Sequence, residues 1–174
     1  MRASLLAVAL AATTLMAADM QSPYAGEEQW QIKSLSDPEI RAYLQGDGMG
    51  LARAAELNHH PGPRHVLDLA DELGLSAEQI AQSQRIHEEM KHRAMELGAR
   101  LVTRERLLDR RFAERDITAG ELRERLAEIA GLEGEIRYVH LVAHLEQRQV
   151  LTADQVRRYD ELRGYGTGDH AHSH

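Results

Sequence analysis

The chain of 174 residues contains no cysteine, one Phe, one Trp and only four prolines. Without cysteine there is no disulfide framework, no thiolate nucleophile and no thiolate metal centre. With so few aromatics, an apolar core must be assembled from Leu, Ile, Val, Met and Ala in thin layers, which suits a helical hairpin or a dimer better than a thick globule. Basic excess is missing as well: the net charge of −7 argues against general nucleic-acid binding. No G-x-S-x-G elbow, phosphate-cradling glycine loop or H-E-x-x-H pair occurs; His87-Glu88-Glu89 has Lys91 where the second histidine would stand. We therefore expect a protein that is not an enzyme and requires no cofactor.

What is present is rich in Ala, Leu, Glu and Arg, the composition of long helices. Charge is unevenly spread, since Lys91 to Arg125 carries ten Lys and Arg against seven Asp and Glu. This stretch reads as a solvated helix face laced with ion pairs, or as a mixed surface for partner proteins or anionic groups. The N-terminus reads as an export signal: Arg2 is followed by the apolar Ser4–Ala18, too short for a comfortable membrane span. Residues 1–18 are the expected signal peptide, cleaved to leave a periplasmic protein, with an uncleaved membrane anchor as the alternative.

Residues 19–62 form an N-terminal segment with short helices. Gln21 to Leu35 has no strong period and is expected to be loosely attached. Ser36-Asp37-Pro38 starts a helix that Gly46 ends; a second runs from Met49 to Leu57, and a third from Pro63 to Leu73 before Gly74. Three capping boxes with hydrophobic staples then mark three helix starts: Leu75-Ser76-Ala77-Glu78-Gln79-Ile80, Ile117-Thr118-Ala119-Gly120-Glu121-Leu122 and Leu151-Thr152-Ala153-Asp154-Gln155-Val156.

Two long periodic segments lie between them. The first has a seam of Ile80, Ile86, Met90, Ala94, Leu97, Leu101, Leu108 and Phe112. The second has Leu122, Leu126, Ile129, Leu132, Ile136, Val139 and Ala143. The short turn at Asp116–Thr118 allows only an antiparallel hairpin, onto which a last helix, Thr152–Arg163, folds back. Gly98, Gly131 and Gly134 fall off the seam on a helical wheel and are expected to mark bends or close approach of a dimer partner. The fold class is thus all-α, a long antiparallel hairpin with short N-terminal helices and a C-terminal helix.

The pentapeptides Leu75-Ser76-Ala77-Glu78-Gln79 and Leu151-Thr152-Ala153-Asp154-Gln155 resemble the paired LTxxQ motifs of the Spy/CpxP family. The resemblance covers residues 63–165 and extends to the CnrX-like and ZraP-like periplasmic heavy-metal proteins. It implies a cradle-shaped homodimer of helical hairpins in the periplasm, acting in envelope stress or heavy-metal response. Such a protein would bind metal, unfolded envelope proteins or a membrane signalling partner without ATP. The alternative within the same resemblance is a chaperone-like or signalling-inhibitor dimer with no specific metal site.

Histidine is abundant, with ten in the chain. His170, His172 and His174 alternate in a tail, 166–174, expected to be disordered; mobile imidazoles gather readily around Zn²⁺, Cu²⁺, Ni²⁺ or Co²⁺, or form only a polar tail. His140 and His144 are four apart and share one helix face, with roughly 6 Å between their β-carbons. A hairpin turn centred on Ile117 would set His87 opposite residue 147 and Met90 opposite His144. His87, Met90, His140 and His144, with Glu89 or Glu146 near them, would then converge into a site for a borderline or soft transition metal. Structural packing and a pH-sensitive contact are the competing readings of these histidines. His59, His60 and His65, which flank Pro61-Gly62-Pro63, read as a loop metal site or as an ordinary polar turn.

Overall fold

The computed structural model describes residues 22–165. The expected signal peptide at 1–18 and the tail 166–174, with His170, His172 and His174, lie outside the described residues. The chain is all-helical, with α1 (Asp37–Gln45), α2 (Arg53–Glu56), α3 (Pro63–Asp68), α4 (Ala77–Glu114), α5 (Ala119–Val150) and α6 (Ala153–Leu162). None of the described helices is long and apolar enough to cross a membrane.

The long helices begin where their caps dictate. Ser76, Thr118 and Thr152 each accept a hydrogen bond from the backbone N–H three residues on, and Gln79, Glu121 and Gln155 each return one to the cap N–H. Arg115, in the left-handed conformation (φ 58°), closes α4. Arg111 then donates to Asp116 Oδ2 (2.7 Å) and to Glu121 Oε1 (3.2 Å), pinning the hairpin turn to the start of α5.

Two of the three caps do more than start a helix. Gln79 Nε2 donates to Gln155 Oε1 (2.8 Å) and to the Val150 carbonyl (2.9 Å). Gln155 Nε2 donates to Gln79 Oε1 (3.1 Å) and to the Leu73 carbonyl (3.4 Å). Each Oε1 also accepts its own cap N–H, from Ser76 and from Thr152. Both amides thereby use both donors and both acceptor sites of a primary amide. This clasp binds the start of α6 to the start of α4 beside a small apolar cluster of Val66, Leu73, Leu151, Val156 and Tyr159.

The hairpin core holds Leu101 of α4 against Ile129, Leu132 and Ile136 of α5. Fully burying such side chains contributes about 1.5–3 kcal/mol each. The expected seam overreaches toward the tip: Phe112 is 53% and Leu126 48% exposed, since none of the shorter helices covers that end. The register also differs from expectation by one helical turn, for Gln147 Nε2 donates to Ser83 Oγ (2.9 Å) in a buried pair, where His87 was expected.

A second correction concerns the N-terminal segment. Ile32 is fully buried and packs with Leu35 and Ile40 against Val102 of α4. The Lys33 N–H donates to Asp109 and the Ser34 hydroxyl to Glu105, so this stretch is fastened to α4, not loosely attached. α1 crosses α4 at Gly98, where a β-carbon would stand 2.1 Å from the Tyr43 carbonyl oxygen. Gly98 is therefore the point where α1 meets the hairpin, covered by this chain's own helix and not left for a dimer partner. Around Gly131 and Gly134 a β-carbon would meet nothing within 4 Å. The second short helix is also shorter than expected, because Met49 (φ 42°) and Gly50 (φ 76°) are left-handed and delay it to Arg53.

Candidate functional site

Where the loop after α1 and the start of α3 lean on the hairpin, they enclose a cleft of about 360 Å³. His65, His87, Met90, His140 and His144 line it, with Asp47 as its carboxylate and Arg64 and Lys91 as its cations. All four hairpin residues expected to form a metal site thus face one space, and His65 joins them from α3. Glu89 and Glu146, by contrast, are exposed and do not line it. The one-turn shift in register brings His87 toward the level of Ala143, between His140 and His144.

Each imidazole is set by its surroundings. His144 Nδ1–H donates to the His60 carbonyl (2.7 Å), and Glu56 Oε2 lies 3.7 Å from the same nitrogen. The proton on Nδ1 leaves the lone pair on Nε2, the orientation that a carbonyl or carboxylate partner gives a metal-binding histidine. A β-carbon on Gly62 would lie 3.0 Å from that Nε2, so only glycine lets the loop pass so close to it. His140 is 3% exposed, and its Nε2 is buried with no hydrogen-bond partner. An orphaned buried polar atom costs about 1–3 kcal/mol, and a ligand in the cleft would satisfy it.

Burial holds the His140 imidazole below the usual histidine range; His144 adds to that shift and Asp47 opposes it. Burial also lowers His144, against the His60 carbonyl and Glu56. For His87, burial acts together with Lys91 and Arg64. Each group prefers to be neutral in the folded chain, so the unfolded chain binds more protons as pH falls through the ordinary value near 6.5. The stability these groups contribute is complete above that value and is lost below it. Thermal denaturation in a chelator, compared at about pH 7.5 and pH 5.5, is expected to show a lower midpoint at the acid value, and His140→Leu should narrow the difference.

The residues fit a metal in part. Among the described residues no three His, Asp or Glu side chains form a ready-made metal cluster. The expected quartet therefore shares a cleft without closing into a ligand shell. Imidazole nitrogens with a thioether suit a borderline or soft ion, and an incomplete shell leaves coordination positions open.

Beneath the cleft lies a polar hub that sequence reading missed. Glu56, largely buried, accepts from the Tyr159 hydroxyl (2.6 Å), the Tyr165 hydroxyl (3.2 Å) and the Gly62 N–H (3.2 Å). Burial and the bond to Glu56 push the Tyr159 phenol far up, so it stays a donor. His59 Nδ1–H donates to Asp160 of α6 (2.8 Å), and His60 Nδ1–H to the Asn58 carbonyl (2.7 Å). These two contacts hold the Pro61-Gly62-Pro63 loop in place, and neither histidine lines the cleft. Only the carboxylate of Glu56 beside that turn could have pointed to the hub. Comparison with family models, with curated proteins and with solved structures gives no match to this chain.

Proposed function

We propose that the chain is an exported, non-enzymatic helical protein of envelope-stress or heavy-metal response, and that the cleft binds a divalent transition metal. The observation that carries this reading is the unpartnered, buried Nε2 of His140, in one cleft with His144, His87 and Met90. The chain's part is to present His140 and His144 from α5, and His87 and Met90 from α4, so that ligation ties the two long helices together. Metal would supply the cross-link, and a change in helix position would be the signal to a membrane partner. Outside the described residues, His170, His172 and His174 would add a second, weaker capture site.

Holding unfolded clients is the weaker reading. It needs a broad apolar face, and α1 with Ile32 and Leu35 covers the face of α4 that includes Val102. A homodimer remains part of the proposal, with exposed Phe112 and Leu126 near the hairpin tip as the apolar surface left for a second copy.

The test is calorimetric titration of Zn²⁺, Cu²⁺, Ni²⁺ and Co²⁺ into protein lacking residues 166–174. One tight site per chain or per dimer is expected for at least one ion, and none after His140→Ala with His144→Ala. Stoichiometric uptake that survives the double substitution would place the metal elsewhere. Lack of uptake, together with suppression of client aggregation, would favour the chaperone-like reading.

A further inference from the structure

α5 is apolar on two opposite faces. One face carries Ile129, Leu132, Ile136, Val139 and Ala143 into the hairpin seam. The other carries Ala127, Gly131, Gly134, Tyr138, Leu141 and Leu145. Leu141 is half-buried and the other five are exposed, Tyr138 at 56% and Leu145 at 51%. A β-carbon on either glycine would meet nothing within 4 Å, so the row is open along its length. α4 shows the contrasting case of a solvated face, since its outward positions hold Arg85, His92, Glu96 and Arg106. A surface helix needs one apolar stripe; a second stripe, without a charged residue from 127 to 145, calls for another element to cover it.

Spacing and size say what that element is. The six positions are separated by four, three, four, three and four residues, the spacing at which one helix seats along another. The first half of the row is small, Ala-Gly-Gly, and the second half is large, Tyr-Leu-Leu. Reversed, the row is its own complement. Laid antiparallel on itself about a two-fold axis level with Ile136, Ala127 meets Leu145, Gly131 meets Leu141, and Gly134 meets Tyr138. Every small residue then faces a large one, the alternation by which facing layers interdigitate. The contact is isologous, as a closed two-fold dimer requires. We infer that this face of α5 docks on the same face of a second copy of the chain, the two helices running antiparallel. This rests on the homodimer reading and names, beyond the apolar tip, the face on which the copies meet. The reversal sets Glu135 near its own counterpart on one edge and Arg137 near its counterpart on the other. Both are exposed, where solvent and salt screen like charges.

Association is read by sedimentation equilibrium on the mature chain, residues 19–174, with a chelator present so that metal plays no part. A reversible dimer is expected by about 0.1 mM, the strength that a small interface supports. Tyr138→Glu with Leu145→Glu should leave a monomer. Both side chains are more than half exposed, so helix content should stay unchanged by circular dichroism. Direction is read by pulsed electron resonance from single spin labels, since the chain has no cysteine of its own. At 1.5 Å per residue, labels on Glu124→Cys should lie about 36 Å apart between copies, and labels on Glu135→Cys much closer. Equally short distances at both positions, or a dimer untouched by the double substitution, would overturn the α5 contact and leave the homodimer standing. A monomer at every concentration would overturn both.

Discussion

Gly98→Ala is expected to destabilise the protein, although alanine is the better helix former. The intrinsic gain is about 1 kcal/mol. Against it, the new β-carbon would lie 2.1 Å from the Tyr43 carbonyl oxygen and 2.7 Å from the carbonyl carbon, both backbone atoms that no rotamer change can move. α1 must lift from α4, and overpacking of this kind costs about 1–3 kcal/mol or more. The loss spreads because α1 carries Ile40 and Tyr43 in the layer with Ile32, Leu35 and Val102. Urea denaturation should show a net loss, and hydrogen exchange should accelerate first in residues 31–46. Gly131→Ala and Gly134→Ala provide the contrast: with nothing in reach of their β-carbons, each should gain up to about 1 kcal/mol. Equal effects at all three glycines would refute the close crossing at Gly98.

Gln79→Glu is the second large effect, and it separates capping from clasping. Glutamate keeps the acceptor for the Ser76 N–H, so the cap survives. It has no N–H to donate. The Val150 carbonyl and Gln155 Oε1 each lose a part-buried donor, and Gln155 keeps its own bond to residue 79. Gln155 Oε1 still accepts the Thr152 N–H, whereas the Val150 carbonyl loses this donor, which costs about 1–3 kcal/mol. Gln155→Glu should cost a similar amount, since it breaks the same ring from the other side. In both variants α6 is expected to lose exchange protection before α4 does. If Gln79→Glu is as stable as the native chain, the glutamines serve only as caps.

These two sites also mark what could be read from the chain and what could not. Helix starts were legible because a capping box is a local signal, complete within four residues. The pairing of two capping glutamines was not, because it joins positions 76 residues apart. Helical periodicity located the α4–α5 seam at Leu101, Ile129, Leu132 and Ile136. A single seam cannot describe α4, however, which buries a second face under α1; that is why Gly98 was misjudged and Val102 was not anticipated. Ile32 and Leu35 form a one-turn bridge without a period, so nothing in their own stretch announced their burial. The spacing of His140 and His144 placed them correctly on one face, and an assumed turn brought His87 and Met90 to the same cleft despite an error of one turn in register. Asp47, Arg64 and Glu56 reach the site from loops and short helices, whose positions depend on tertiary packing.

The most direct test of the metal reading is X-ray absorption at the edge of the bound ion, on protein lacking residues 166–174. The account predicts imidazole scattering together with one sulfur neighbour, the Met90 thioether. The sulfur signal should vanish in Met90→Leu, and imidazole scattering should fall in His140→Ala. A shell of oxygens alone, unchanged by either substitution, would contradict the assignment of the cleft as the metal site.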